Sequence, residues 1–548
     1  MDEQHEASLD RREFTLGFLT ASFAALALHP AAGNAAENSG KILDQPWAVW
    51  AKDQKPVRGG YFRVAAEQYI GKMNPNHWPV LDWISMGYFH ERLMLTDGAY
   101  NPAVPWLAES LTWESPQSVV MKLRDCVTFH DGSAFNAEGI KFQIDWIRDP
   151  ASKTWDAGWL APLDTMEVVD PLTLRFKFKT PWAGFTGVMA NVPGYVMSAK
   201  ALKEDADKYD TQPQGTGPFL LEEASPGNFL KFKRNPNWWF AKASNNPDMP
   251  YFDGIHVTII PDPAVRLANL RAGKIDLLAL DKSQYATVKN DPELNVYRFP
   301  LNHVAALYFN TTSGVFQDVR LRKAVSHAID RRALIAGTQF GLARLASCMY
   351  PEDHWCHNPA LKPVAYDPDL SKKLLAEAGY GGGLKIRGYY ANTTMGQTIA
   401  EAIKNMLAKV NIDWQVELIA PAALATRMQN RDYDLGQGGW PFIYDPDLMA
   451  TGLYHPAGGF NFGRSKNDAA IALIEAGRQQ TDLEKRRDIY WQLEKVLYDS
   501  YEDVWLWWEE GTRAYRKHVQ GWDHANYLKY KDVWFWSHPL WFKDGKPA

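Results

Sequence analysis

The stretch YFDGIHVTIIPDPAVRLANLRAGKIDLLAL, residues 251–280, constrains the fold more than any other part of the chain. Apolar residues over 255–260 read as a strand, Pro261 and Pro263 break it and lead into a helix, Gly273 stops the helix, and a second apolar run begins at Ile275. Strand, helix and strand in that order need a crossover. The spacing therefore predicts a parallel pairing with a right-handed connection, and an α/β chain.

Other stretches follow the same rules. In VVMKLRDCVTFHDGSAFNAEGIKFQIDWI, 119–147, Met121 and Leu123 alternate with Lys122 and Arg124 as in a strand, and His130-Asp131-Gly132 makes a turn. Ile140, Phe142, Ile144 and Ile147 then carry a helical rhythm opened by Asn136 as N-cap. A short helix is expected at 106–110, a hairpin across Asp170-Pro171, and another across Pro226-Gly227. Asp318 is a natural cap for a helix facing inward through Val319, Ala324, Val325, Ala328 and Ile329. Further helices are read at YDPDLSKKLLAEAGY, stopped by Gly379, at 397–410, and at DLEKRRDIYWQLEKVLYDSY. In the last of these, Lys485, Arg486 and Arg487 sit between Glu484 and Asp488 and read as a solvated face.

The N-terminal residues read as an export signal. Arg11 and Arg12 precede a stretch from Phe14 to Ala36 without a charged side chain, and the Arg-Arg-x-Phe arrangement resembles the twin-arginine motif. His29, Pro30 and Gly33 interrupt the stretch, which ends in small residues, so cleavage after Ala35 fits better than a spanning anchor. The remainder, more than 500 residues, is too long for one core. The chain's formal charge is −5, and the leader's five acids against two arginines leave the remainder near −2, which implies no nucleic-acid surface. Of the three cysteines, Cys348 and Cys356 close the loop CMYPEDHWC. A local disulfide is plausible there with Cys126 as a buried thiol; a metal site from Cys348, His354, Cys356 and His357 is the competing reading, although its spacing fits no standard zinc pattern.

Catalytic signatures are missing from the sequence. It has no G-x-S-x-G elbow, P-loop or dinucleotide glycine fingerprint, and HER at His90 lacks the second histidine of a zinc protease. Acid pairs such as Glu509-Glu510 and Asp445/Asp447 read as structural or solvated charges. Binding is thus favoured over catalysis, and no cofactor is called for. Aromatic residues make up 13% of the chain, with 23 tryptophans, and their faces stack on rings, sugars and cations.

In order along the chain, RGGYFRVA, FHERLMLTDGAYNPAVPWLAESL, MKLRDCVTFHDGSAFNAEGIKF, GTGPF, FKRNPNWW, YFDGI, LRAGKID, FQDVRLRKAVSHAIDRRALI and YDPDLSKKLLAEAGY resemble the family 5 extracytoplasmic solute-binding proteins, over about 59–521. The resemblance implies a two-lobed α/β periplasmic-binding-protein clamp of type II, cluster C, with an extra subdomain. The expected divisions are an export signal at 1–35, a first lobe at 36–78, 215–300 and 511–548, an extra subdomain at 79–214, and a second lobe at 301–510. The chain would cross the hinge near Leu301 and Gly511. It also implies a periplasmic, monomeric protein that binds a small molecule and docks on the permease and ATPase subunits of an ABC importer.

In peptide-binding relatives a Trp-x-x-Asp segment supplies a carboxylate for the peptide's α-amino group. Here GGWPFIYDPDLM places Ile443 at that position, with Asp445 two residues later. Either Asp445 anchors an oligopeptide or dipeptide amine, or the ligand has no free amine and is a saccharide or opine-like conjugate. Candidate ligand residues are Trp440, Phe442, Tyr444, Asp445, Asn461, Arg464 and Trp507, with Trp505 and Trp508 beside them. Arg464 is the candidate for an acidic group, and the loop EQYIGKMNP, 67–75, is where relatives place early cleft residues. The run Trp505 to Trp508 also fits a central strand buried on both faces.

Overall fold

The structure, a computed structural model, describes residues 55–80, 82–96, 103–441, 443–463, 465–522, 524 and 539–547. The leader at 1–35 lies outside them, as do the candidate residues Phe442 and Arg464. Residues 251–280 fold as strand Gly254–Ile259, helix Pro263–Arg271 and strand Leu277–Ala279. The Asp262 carboxylate caps the helix by accepting from the Ala264 and Val265 N–H groups at 2.7 and 3.0 Å, and Gly273 leaves it at φ +70°. The two strands are parallel but not adjacent. Strand Tyr61–Ala66 inserts between them and pairs in parallel with both. The motif fixes direction and not adjacency, so a strand from elsewhere in the chain can take the middle place.

These strands belong to an eleven-stranded mixed sheet. Two long strands, Leu294–Phe309 and Asp503–Arg516, run antiparallel along each other through its middle. Their ladder extends from Leu294↔Arg516 to Pro300↔Glu510, breaks, and resumes from Val304↔Trp508 to Tyr308↔Asp503. On one side of the break, Asp503–Arg516 borders Leu277–Ala279. On the other, Leu294–Phe309 borders Leu435–Trp440, and Leu384–Ala391 and Ile412–Ile419 follow. One sheet thus serves two lobes, and these two strands pass between them.

Side-chain alternation gives the second lobe two core layers. Leu307 and Phe309 face one layer with Ile386 and Trp414, while Tyr308 faces the other with Tyr350, Trp440 and Tyr490. Trp505 and Trp508 enter the second layer and Leu506 and Trp507 the first, so this run is a strand buried on both faces.

The extra subdomain is an antiparallel sheet ordered Ala108–Ser115, Ser118–Leu123, Thr173–Phe178, Leu163–Asp170. Helix Ala137–Arg148 buries Ile140, Ile144 and Ile147, and Asn136 Oδ1 accepts from the Gly139 N–H at 2.9 Å. Phe142 falls off the buried face and carries the Lys203 ammonium 4.5 Å above its ring. The helix expected at 106–110 is not formed. Ala108 starts a strand, because a complementary strand lies just beyond the turn at Pro116-Gln117 and its ladder outcompetes a single helical turn.

The thiols of Cys348 and Cys356 are free, each drawn to its own partner. Cys348 Sγ donates to the Glu494 carbonyl at 3.6 Å, and Cys356 Sγ lies 2.9 Å from His354 Nδ1. Both are buried, and burial pushes their pKa values well up. Cys126 is exposed, not the buried thiol expected. Among the described residues no helix is long and apolar enough to cross a membrane.

Candidate functional site

The break in the central ladder is braced on both faces. Glu509 and Glu510 are successive strand residues and so point opposite ways. Glu509 accepts from Lys282 Nζ at 3.1 Å and lies 3.7 Å from His303 Nδ1, while Lys282 also reaches Gln339 Oε1 at 2.6 Å. Burial pulls the Glu509 carboxyl up, but the hydrogen bonds and charges of His303 and Lys282 outweigh it and hold the pKa at about 2. Glu510 accepts from Arg298 Nε at 2.7 Å.

Aromatic rings and a guanidinium meet where the extra subdomain faces the second lobe. Arg92, bridged to Tyr195, places its guanidinium carbon 5.3 Å from the Tyr195 ring centre and 6.0 Å from that of Tyr444, which follows strand Leu435–Trp440. Trp155 is fixed by its indole N–H donating to the Pro75 carbonyl at 3.0 Å, and its ring lies 6.0 Å from Phe460 across the seam. Phe460 meets Trp440 edge-on at 5.1 Å, and Trp155 meets Trp78, half exposed, at 5.8 Å. Such a wall can stack on a ring, a sugar face or a planar delocalised group, and a guanidinium between tyrosines suits an oxygen-rich one.

The structure separates the sequence candidates. Tyr444 stands at this seam, whereas Trp440 is 3% exposed in the second lobe's core and reaches the seam only through its edge contact with Phe460. Trp507 is 1% exposed inside the second lobe's core, and Asn461 is committed to its own loop, donating to the His455 and Ser465 carbonyls and accepting from the Ser465 N–H at 2.8 Å. Ile443 is fully buried. Asp445 is 6% exposed, and both its oxygens face Arg486, Nη1 to Oδ2 at 2.8 Å and Nη2 to Oδ1 at 2.7 Å. Its Oδ1 also accepts from the Asp447 N–H at 2.9 Å, capping helix Pro446–Tyr454.

Arg486 is therefore not on a solvated face, because helix Leu483–Ser500 turns it inward beside Tyr490. Sequence reasoning missed Arg92, Tyr195, Trp155 and Phe460. Each lies in a loop or bridge, where no periodicity marks a side chain that faces across a seam. Among the described residues no group of three or more His, Cys, Asp or Glu side chains is placed to hold a metal ion.

Two lobes sharing a pair of long central strands, with an aromatic seam where the extra subdomain faces the second lobe, fit a clamp of the solute-binding class. The model of the bacterial extracellular solute-binding proteins, family 5 Middle, matches residues 102–461, and the chain belongs to this family. The chain is 26% identical over 328 residues to the glutathione-binding protein GsiB of Escherichia coli strain K12, over 59% of this chain and 63% of that protein, so it spans under two thirds of that relative's length. The structure of AgaA from A. tumefaciens R10 in complex with agropinic acid is similar at TM-score 0.78 and 22% identity, over 88% of this chain and 99% of that one. DppA from Helicobacter pylori in complex with the peptide STSA is similar at TM-score 0.76 and 21% identity, over 89% and 99%.

Proposed function

We propose that the chain is the extracytoplasmic substrate-binding component of an ABC importer, capturing a saccharide or an opine-like sugar and amino-acid conjugate between its lobes. The observation that carries the ligand class is Asp445. Its oxygens are already held by Arg486, and the residue at the family's amine-anchoring position is the buried, apolar Ile443. A ligand with a free α-amino group would lose its usual partner, whereas a sugar face would meet Tyr444, Phe460 and Trp155. The second reading, an oligopeptide anchored by Asp445, requires that carboxylate to leave a buried bidentate pair, which is strongly unfavourable.

The protein is exported through its leader, works in the periplasm as a monomer, and delivers its ligand to a membrane permease pair driven by cytoplasmic ATPases. The lobe boundaries are 78/79, 214/215, 300/301 and 510/511, a reading supported by the break in the ladder that begins just after Pro300↔Glu510. A thermal-shift screen of residues 36–548 tests the reading with agropinic acid, maltotriose, tri- and tetrapeptides and reduced glutathione. A ligand at about a thousand times its dissociation constant adds about 4 kcal/mol. A shift with the opine or sugar and none with the peptides is the expected outcome. A strong shift with free-amine peptides alone sinks the ligand assignment and makes Asp445 the anchor.

A further inference from the structure

Asp445 has a second neighbour besides Arg486. Across the seam, helix Phe185–Met189 of the extra subdomain and its N-cap Gly184 turn two glycines toward it. A Cβ on Gly187 would lie 2.4 Å from the Asp445 Cβ, and one on Gly184 would lie 3.2 Å from Asp445 Oδ1. No side chain fits at 187 while the seam is shut. A hydrogen bond crosses at the same place, from the Ala183 N–H to the Arg478 carbonyl at 2.9 Å, and Arg478 Nε donates to Asp447 Oδ2 at 3.1 Å.

The notch is rigid. Trp182 is fully buried and packs edge-on against Phe178 and Phe185 at 5.2 and 5.5 Å. The two sides belong largely to different hydrophobic cores, Trp182, Phe185 and Val188 to one and Ile443, Met449 and Ala450 to the other, with Leu448 of helix Pro446–Tyr454 reaching across into the first.

We propose that the Asp445–Arg486 pair positions the clamp for solute capture, as a preformed peg that seats in the notch over Gly184 and Gly187 when the lobes close. Arg486 fixes Asp445 in one orientation before closure. Tyr444 directly precedes Asp445, so seating the peg and bringing Tyr444 against Arg92 are one movement. The two glycines are then determinants of closure that need not touch ligand. The purpose of the device rests on the solute-capture reading, but the contact can be tested without any ligand.

The test compares Gly187→Ala and Gly184→Ala with Gly158→Ala, whose Cβ would meet nothing within 4 Å. Alanine favours a helix over glycine, so a clash at 187 is relieved by opening the seam and not by weakening the helix. On the ligand-free full-length mature protein, hydrogen exchange at the Ala183 amide and small-angle scattering are read together. Gly187→Ala is expected to speed exchange at Ala183 by at least about tenfold and raise the radius of gyration, with Gly184→Ala smaller in both and Gly158→Ala unchanged. Wild-type exchange and an unchanged radius in Gly187→Ala overturn the proposal. If Gly187→Ala lowers the melting temperature, the milder Gly184→Ala decides: faster exchange at Ala183 without loss of Tm supports the peg, and unchanged exchange overturns it. Should no compound in the thermal screen shift the wild type, solute capture fails as the reading while the exchange data still decide the peg.

Discussion

Glu91, beside Arg92, is a carboxylate held by three indoles. Trp106 Nε1, Trp238 Nε1 and Trp239 Nε1 donate to it at 3.0, 3.2 and 3.0 Å, and Thr216 Oγ1 at 2.9 Å. Full burial outweighs those donors and raises its pKa to about 7. The folded state therefore binds a proton that the unfolded state has released between about 4.5 and 7, so this contribution is whole below 4.5 and is lost as pH rises through 7. Glu91→Gln should remove that slope, so the stability difference between wild type and variant should change by about 3 kcal/mol from pH 4.5 to 7.5. Chemical denaturation of both proteins at the two pH values checks this, and parallel curves would refute it. The sequence displays the charge at HER and the tryptophans at NPNWW, but not that they meet. The inward turn of Arg486 was legible, since Arg486, Tyr490, Leu493 and Leu497 fall on one helical stripe. The flanking charges in EKRRD masked it.

At the scale of elements, the motif VRLRKAVSHAIDRRALI illustrates what local pattern reveals and what it hides. Its helix face and its Asp318 cap follow from periodicity, and helix Val319–Ala328 forms with Leu321, Ala324, Val325 and Ala328 buried, although Val319 stays exposed. Its arginines have roles that no period shows. Arg331 is buried and bonds mainly to backbone, donating to the Trp505 carbonyl at 2.6 Å, the Ser326 carbonyl at 3.0 Å and the Ser326 Oγ at 2.9 Å. It thereby ties the start of helix Arg331–Thr338 to the hinge strand Asp503–Arg516. Burial pulls its pKa down to about 10. Lysine cannot reproduce the planar fork, and Arg331→Lys should cost about 3 kcal/mol by leaving carbonyls unpaired. A denaturant midpoint equal to wild type would contradict this. Hairpins and caps were legible for the same reason as the helix face, because turn residues and spacing act locally. The strand inserted between 254–259 and 277–279 was not, because its register is set by residues about 190 positions away.

For the whole molecule, buried titratable groups set how stability responds to pH. Burial raises Glu91 and Asp156 to about 7 and Glu494 and Asp503 to about 8, and lowers His90 to about 3 and His130 and His354 to about 4. The acids hold extra protons in the folded state, so their contribution is full below about 4 and is lost as pH climbs through 7 to 8. The histidines hold fewer, so theirs is full above about 6.5 and is lost as pH falls toward 4. Between about 4.5 and 6.5 the three histidines offset three of the four acids and leave about one proton uncompensated, and above 6.5 the acids act with little opposition, at about 1.4 kcal/mol per pH unit for each uncompensated proton. The melting temperature should thus fall gently from pH 5 to 6.5 and more steeply from there to pH 8.5. Glu494 and Asp503 both sit in the second lobe, so calorimetry should show that lobe's transition moving more than the other's. Glu494→Gln and Asp503→Asn should each remove about one proton's worth of slope from pH 4.5 up to about 8, flattening the fall above pH 6.5. A melting temperature at pH 8.5 equal to or above that at pH 6 would mean that these carboxyls are not buried uncharged in the folded protein.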